Sequence, residues 1–131
     1  MEKSTKTEAE WKEILSFDQF KILRQKRTED PFSGLYVKNQ SKGSYRCAGC
    51  DNMLFQSEKK YDDDSGYPSF SDVSDPDTIH LHVNANHFTS RTEVNCAKCD
   101  GYLGYVFQDG PEPTGKRYSI NSVSLRFYFN K

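Results

Sequence analysis

Two Cys-x-x-Cys pairs constrain this chain more than any other feature of its sequence. They are Cys47-Ala-Gly-Cys50 and Cys96-Ala-Lys-Cys99, and they contain all four cysteines of the protein. Two residues between cysteines allow a tight turn to direct both sulfur atoms towards one point. Two such turns supply the four thiolates that a structural Zn²⁺ ion prefers, so the spacing predicts one tetrahedral zinc site that acts as a cross-link.

Other uses of the four cysteines stay open. One pair could be a redox dithiol, the pairs could form disulfides, and an iron–sulfur cluster takes the same ligands. Zinc is favoured because the two pairs share one spacing. Each pair follows a predicted strand, so the ion would tie distant hairpins together. Disulfides are also rare in the intracellular setting that the rest of the sequence indicates.

Length and charge exclude several classes of protein. A chain of 131 residues is most simply one domain, which we expect at 11–131 behind a flexible tail at 1–10. The net charge of -1 gives no basic surface for nucleic acid. No apolar run approaches the roughly 20 residues that span a bilayer, and the polar N-terminus lacks a secretory signal. We therefore expect an intracellular, cytoplasmic monomer.

Hydrophobic periodicity predicts two short helices at about 8–15 and 17–24, the second capped by Ser16 with Gln19. The residues expected to be buried on them are Trp11, Ile14, Leu15, Phe17, Phe20 and Ile22 or Leu23. After the helices the apolar period changes to two, which is typical of strands. The predicted strands are 34–37, 44–46, 54–57, 79–84, 90–94, 102–108, 117–120 and 124–129.

Nine Phe and eight Tyr are a large aromatic content for so short a chain, and they favour a mainly β domain with rings between its sheets. Turns are predicted at 62–69, 72–77 and 109–115, where Gly, Pro, Asp and Asn gather. The run Asp62-Asp63-Asp64 lacks the ligand register of a calcium loop, so it is interpreted as a solvated acidic turn.

Short segments spread over about residues 11–129 form one pattern, whose C-terminal block is the most specific part. The segments are Asp30-Pro31-Phe32-Ser33-Gly34, Tyr45-Arg46-Cys47, Leu54-Phe55, Gly66-Tyr67-Pro68-Ser69-Phe70, Arg91-Thr92-Glu93-Val94, Cys99-Asp100, Leu103-Gly104, Val106-Phe107, Asp109-Gly110-Pro111, Pro113-Thr114-Gly115, Arg117-Tyr118, Ile120-Asn121-Ser122 and Leu125-Arg126-Phe127. Together they resemble one family, the zinc-containing methionine-R-sulfoxide reductases of the MsrB type.

The resemblance implies a fold, a reaction and partners. The fold is a pair of antiparallel sheets leaning together as a β-tent, with short N-terminal helices and structural zinc away from the active site. The activity is that of a peptide-methionine (R)-S-oxide reductase, which returns R-methionine sulfoxide in oxidised proteins to methionine. In relatives a cysteine thiolate attacks the sulfoxide sulfur and becomes a sulfenic acid, which a second cysteine or an external thiol reductant such as thioredoxin resolves.

The chain departs from the family pattern at several positions. Ser119 stands where relatives have the nucleophilic cysteine, so we expect essentially no turnover. Tyr102 and Tyr105 stand at positions that usually hold catalytic histidines, and tyrosine is a poorer proton shuttle near neutral pH. Tyr67 replaces a tryptophan that cradles the substrate methyl, and Ser65 lies at the position of the resolving cysteine of some relatives.

Other parts of the implied site are present. Arg117 and Asn121 flank the serine and match residues that orient the nucleophile, Phe107 matches a residue of the thioether pocket, and Asp109 could support their polar network. His87 matches a substrate-binding position at the rim.

Each of these residues also has a plainer interpretation. Tyr102 and Tyr105 could be core residues, Arg117 a surface residue, and Asn121 a turn cap. His80 and His82 lie two apart on one strand and could suit a second metal, but solvent-facing histidines explain them better.

Three hypotheses follow for the function. The chain could be a reductase whose nucleophile was replaced by engineering, although a single change does not account for the two tyrosines. It could be a paralogue that kept the pocket and binds oxidised methionine or another small ligand. It could also be a zinc-stabilised structural domain without a working pocket.

Overall fold

The computed structural model describes residues 3–84 and 91–130 of the chain. Within these residues two α-helices precede nine strands in two antiparallel sheets. The elements are α1 (Glu8–Ile14), α2 (Phe17–Leu23), β1 (Gly43–Cys47), β2 (Met53–Gln56), β3 (Lys60–Tyr61), β4 (Ser69–Phe70), β5 (Ile79–Asn84), β6 (Arg91–Cys96), β7 (Tyr102–Phe107), β8 (Arg117–Ile120) and β9 (Leu125–Phe129). None of the helices in these ranges is long and apolar enough to cross a membrane.

The strand order explains how the chain closes on itself. The smaller sheet has the order β2-β1-β9, and the larger sheet has the order β3-β4-β8-β7-β6-β5. Strand β9, near the end of the chain, pairs with β1 and so joins distant parts of the sequence. The predicted fold class, mainly β with two antiparallel sheets and two short helices, is confirmed.

Aromatic rings fill the space between the two sheets, as the composition predicts. Phe55 on β2 stacks on Phe70 on β4, with ring centroids 4.3 Å apart and an interplanar angle of 13°. Tyr45 on β1 meets the same Phe70 edge-on at 5.1 Å. Because these contacts cross from one sheet to the other, the rings join the two layers into one core.

Both helices begin with a capping box, in which the cap side chain and a side chain three residues on exchange hydrogen bonds with the backbone. Ser16 and Gln19 form the box of α2, as predicted. The predicted burial of Ile14 and Phe17 is wrong, because they are 56% and 80% exposed. A helix of only two turns presents one narrow face to the core, and Trp11 and Leu23 occupy it.

The predicted strand at 34–37 is wrong, since the chain turns there instead. Gly34 packs so closely on Ser122 and Glu29 that an added Cβ would collide with both, and the backbone of Val37 bonds back to Gly34. The two-residue strands β3 and β4 were missed, because two residues are too short for an alternating pattern. The other strands were predicted to within about two residues, apart from residue 90, which lies outside the described ranges.

Candidate functional site

The four cysteines form one compact cluster. Their sulfur atoms all lie within 4.8 Å of one another, with Cys47 and Cys99 at 3.6 Å and Cys50 and Cys96 at 3.5 Å. A disulfide needs about 2.05 Å between sulfurs, so these are free thiols. A tetrahedral ion with ligand bonds of about 2.3 Å separates its sulfurs by roughly 3.8 Å, and the cluster therefore fits such an ion.

The two Cys-x-x-Cys turns have the same local geometry. In each turn the residue after the second cysteine has a positive φ, 67° at Asp51 and 60° at Asp100, and its backbone N–H donates to the carbonyl of the first cysteine. The sulfur contacts differ between the turns: Gly49, inside the first turn, donates its backbone N–H to the sulfur of Cys47, and Gly101, just after the second turn, donates to the sulfur of Cys99, both at 3.4 Å. These donors favour the thiolate form that a metal ligand requires.

The cluster ties together elements that are far apart in sequence. The first turn ends β1 of the smaller sheet, and the second connects β6 to β7 of the larger sheet. Arg24, just after α2, donates to the carbonyl oxygen of Cys99 at 2.6 Å, so the second helix is fastened there as well. A metal ion held by all four sulfurs would leave no open position for a substrate, which suits a structural role.

A separate cleft lies on the larger sheet, where β7 and β8 run side by side. Tyr105 pairs with Ser119 and Phe107 pairs with Arg117 in the strand register. The side chains of these four residues are half-buried, while their neighbours Val106, Tyr118 and Ile120 are buried in the core. Alternation along the two strands therefore places all four on the face that forms the floor of the cleft.

The cleft has a volume of about 390 Å³. Its lining residues are Thr28, Ser65, Tyr67, Tyr102, Gly104, Tyr105, Phe107, Arg117, Ser119 and Asn121. Gly104 has a steric reason to be glycine, because a Cβ there would collide with the backbone carbonyl of Ser119. None of the four cysteines lines the cleft, so the four-cysteine cluster and the cleft are distinct sites.

Two tyrosines on β7 supply hydroxyl groups to the cleft. Tyr102 is 2% exposed, and its ring meets Tyr105 edge-on with centroids 5.9 Å apart. Burial raises the pKa of Tyr102 well above its ordinary value, and its hydroxyl interacts with the side chains of Thr28 and Tyr105. Tyr102 therefore keeps its proton throughout the neutral pH range and acts as a hydrogen-bonding group.

Arg117 is held by two carboxylates and an aromatic ring. Its Nε and Nη2 donate to the two carboxylate oxygens of Asp109 at 2.8 and 3.1 Å, and its Nη1 lies 3.4 Å from Asp63 Oδ2. The guanidinium also lies over the ring of Phe107, 4.3 Å from its centroid. Hydrogen bonding to Asp109 raises the pKa of Arg117 and lowers the pKa of Asp109.

Asn121 lies at the rear of the cleft, 2% exposed, and both ends of its amide are used. Its Oδ1 accepts from the backbone N–H of Glu29 at 3.0 Å, and its Nδ2 donates to the carbonyl of Leu103 at 3.0 Å. Glu29 in turn accepts from the backbone N–H of Val123 at 2.9 Å. This network fixes the segment that carries Thr28 against the turn between β8 and β9.

The structure brings most of the predicted site residues together. Eight of them line the cleft, counting the loop residue at the supposed resolving position: Ser65, Tyr67, Tyr102, Tyr105, Phe107, Arg117, Ser119 and Asn121. Asp109 supports Arg117 as predicted, and His87 lies outside the described residues. His80 is half-buried 3.7 Å from Asp100, and His82 is exposed. Neither belongs to the four-cysteine cluster, the group of candidate metal ligands found in the described ranges.

The sequence reasoning missed three residues of the site. Thr28 and Glu29 lie just before the family-like segment Asp30-Pro31-Phe32-Ser33-Gly34 and carry no motif of their own. Asp63 was interpreted as a member of a solvated acidic turn, yet its side chain is only 13% exposed and contacts Arg117. The sequence alone could not indicate the role of Asp63. Its contact with Arg117, 54 positions away, depends on the path that the loop takes in the folded chain.

Two antiparallel sheets joined at a four-cysteine cluster, with an aromatic cleft on the larger sheet, define the class of small β domains to which this protein belongs. The solved structure of the Mis18 'Yippee-like' domain has a similar fold, with a TM-score of 0.53 at 15% identity over 70% of this chain and 99% of that one. The family model described as the SelR domain matches residues 15–129. The chain is therefore a member of the SelR family, the methionine-R-sulfoxide reductases of the MsrB type.

Relatives from all domains of life are similar over nearly the whole chain. A peptide methionine sulfoxide reductase MsrB of Methanosarcina mazei is 50% identical, covering 95% of this chain and 89% of its own length. The MsrB of Leptospira interrogans is 48% identical, covering 93% of each chain. The mitochondrial methionine-R-sulfoxide reductase B2 of Rattus norvegicus is 46% identical, covering 92% of this chain and 74% of its own.

Proposed function

We propose that the cleft on β7 and β8 is a methionine-R-sulfoxide reductase site that binds oxidised methionine side chains in proteins. We further propose that Ser119 occupies the position of the nucleophile, so that the chain recognises the sulfoxide without reducing it. The observation that carries this proposal is the pairing of Ser119 with Tyr105, which puts the serine on the floor of an aromatic, hydroxyl-lined cleft.

The lining of the cleft matches the two halves of a methionine sulfoxide side chain. The thioether carbons are apolar and can lie against the half-buried rings of Tyr67 and Phe107. The sulfoxide oxygen is a strong hydrogen-bond acceptor, and the hydroxyl groups of Tyr102, Tyr105 and Ser119 are donors. A neutral but strongly dipolar side chain therefore suits this lining better than a purely apolar one.

The chemistry of sulfoxide reduction explains why the chain is expected to bind the sulfoxide but not to reduce it. In reduction by a thiol, the sulfur attacks the sulfoxide sulfur, the oxygen leaves with it as a sulfenic acid, and the thioether is released. Two electrons pass from the thiol sulfur to the substrate sulfur. A second thiol then condenses with the sulfenic acid to give a disulfide and water, and a further thiol reduces that disulfide to regenerate the first thiol. A serine oxygen cannot accept a second oxygen in this way, and all four cysteines of the chain lie in the cluster outside the cleft.

We also propose that the four sulfurs hold one Zn²⁺ ion with a structural role. A closed shell of Cys47, Cys50, Cys96 and Cys99 gives the ion no Lewis-acid function, so its contribution would be to fix β1 against β6 and β7. A thiol reductant such as thioredoxin would serve only a form of the chain with a reactive cysteine at position 119. We expect the protein to work as a monomer.

The test compares the native chain with Ser119→Cys and the matched control Ser119→Ala. We expect all three to bind a peptide with methionine (R)-sulfoxide more tightly than its (S) epimer or methionine in calorimetry. Only Ser119→Cys should reduce the peptide with dithiothreitol, because only it regains a thiol in the cleft.

Each other result has a distinct meaning. Binding without reduction by Ser119→Cys would favour a paralogue whose tyrosines no longer support the reaction. Turnover by the native chain would contradict the assignment of Ser119 as an inactive replacement. Absence of both binding and turnover in every variant would contradict the function and leave a structural domain.

A further inference from the structure

One carboxylate connects two walls of the cleft. Asp63 Oδ1 accepts hydrogen bonds from the backbone N–H of Ser65 at 3.1 Å and from its hydroxyl at 2.6 Å. The backbone N–H of Tyr67 donates to the same Ser65 hydroxyl at 3.3 Å. The second oxygen, Asp63 Oδ2, lies 3.4 Å from Arg117 Nη1. Asp63 thus orders the loop that carries Ser65 and Tyr67 and fastens it to β8.

The charge of Arg117 is balanced before any ligand arrives. Its guanidinium has five N–H donors, of which two bond to Asp109 and one to Asp63. Asp109 is 63% exposed, so water screens much of its charge, whereas Asp63 is 13% exposed and screened far less. Asp109 is the stronger partner of Arg117, and Asp63 adds a second negative charge that is largely shielded from water.

This balance matters because an arginine in an aromatic cleft ordinarily recruits an anion. A guanidinium stacked on a ring binds carboxylate or phosphate groups through its planar fork of donors. Arg117 has the stacking partner in Phe107, but its Nε edge is occupied by Asp109. A ligand carboxylate entering the cleft would also approach Asp63, and the two negative charges would repel each other.

We propose that Asp63 is a specificity-determining residue, which makes the cleft select a neutral, dipolar side chain over an anionic one. The inference rests on the proposed function, since it assumes that methionine sulfoxide is the neutral ligand. Asp63 does not line the cleft itself but acts through Arg117 and Ser65, both of which do. It lines an adjoining groove that shares these two residues with the cleft.

The test uses Asp63→Asn, which changes only one of the two connections. An asparagine can keep the oxygen that accepts from Ser65, while its NH₂ group faces Arg117 and carries no charge. Two peptides of the same sequence serve as probes, one with methionine (R)-sulfoxide and one with glutamate at the central position. We expect the native chain to prefer the sulfoxide peptide, and Asp63→Asn to shift the ratio of dissociation constants towards glutamate by about tenfold.

Two matched variants separate charge from loop order. Asp62→Asn removes a charge from the same loop, but Asp62 pairs with Lys38 on the surface, so the ratio should stay at its native value. Ser65→Ala removes the hydroxyl bonded to Asp63 and should lower the affinity for both peptides by the same factor. If Asp63→Asn proves unstable in a thermal melt, Asp63→Ser offers a shorter neutral acceptor with the same expected shift.

The outcomes distinguish the inference from the proposed function. A native chain that binds the sulfoxide peptide, with an unchanged ratio in Asp63→Asn, overturns the role of Asp63 alone. An equal loss of affinity for both peptides in Asp63→Asn also overturns it, because that result would mean that the residue only orders the loop. A native chain that binds neither peptide overturns the proposed function and the inference with it.

Discussion

Buried polar side chains at the rear of the cleft set the position of its walls. Glu29 is 8% exposed, and its carboxylate and backbone bond to Val123 and Asn121. Burial raises the pKa of Glu29 above its ordinary value of 4.5, and hydrogen bonds from Val123 and Ser122 offset this only in part. The carboxylate is therefore costly to ionise in the folded protein.

The ionisation of Glu29 predicts a pH dependence of stability. Because the folded pKa lies above the unfolded value of 4.5, the folded protein binds the proton more tightly. The stability that this provides is fully present below about pH 4.5 and is lost as the pH rises through the folded pKa. Glu29→Gln cannot ionise, so the native chain should lose stability relative to this variant as the pH rises above about 4.5.

Urea unfolding of both proteins between about pH 4 and pH 8 measures the difference. Glu112→Gln, on an exposed turn, is the control for removal of a carboxylate. If the free energy of unfolding varies with pH in the same way for Glu29→Gln and the native chain, then folding does not change the pKa of Glu29, and the prediction is wrong.

At the scale of elements, the two Cys-x-x-Cys turns are the features that the sequence predicted best. Their spacing predicted one four-sulfur site, and the structure places the sulfurs within 4.8 Å of one another. A turn of this kind is local, so its geometry follows from a few adjacent residues. The turn at 34–37, which was predicted as a strand, has a non-local cause. It depends on close packing of Gly34 against Ser122 and Glu29.

The metal site proposed at these two turns can be tested by chelation. In small domains the free energy of metal binding contributes directly to the free energy of folding. Here the bonds from the cysteines to the metal would hold the smaller sheet to the larger one. We expect chelation, or Cys50→Ser, to lower the melting temperature by about 10 °C or more. Native mass spectrometry should find one zinc ion in the folded chain, and added Zn²⁺ should restore the chelated sample. A folded chain whose mass holds no metal would contradict the site.

At the scale of the whole molecule, stacked rings across the sheet interface complete the fold. Phe70 lies between Phe55 and Tyr45 of the smaller sheet, and it belongs to β4, which pairs with β8 beside Ser119. The core between the sheets therefore supports the floor of the cleft directly. A change in this core is expected to affect both stability and ligand binding.

Phe70→Ala tests the contribution of this core to stability. It removes a ring that is 0% exposed, which should lower the free energy of unfolding by about 3–5 kcal/mol. Phe17→Ala is the matched control, because Phe17 is 80% exposed and its loss should change stability by less than about 0.5 kcal/mol. Chemical denaturation measures both, and similar losses for the two variants would contradict the described packing.

The sequence by itself determined the features whose causes are local. Spacing identified the four clustered cysteines, apolar periodicity identified both helices with Ser16 as the cap of the second, and alternation identified most strands. The family signature also indicated which residues share the cleft, since eight of the predicted residues line it. A cysteine turn, a capping box or an alternating strand needs only its own neighbours to form.

Only the tertiary structure decided what depends on two distant segments meeting. The exposure of Phe17, the burial of Asp63 and its approach to Arg117 follow from how helices and loops pack on the sheets. The raised pKa of Glu29 has the same origin, because burial of its carboxyl comes from contact with a turn more than 90 residues away. Periodicity along a chain carries no information about such contacts, whereas register and packing fix them.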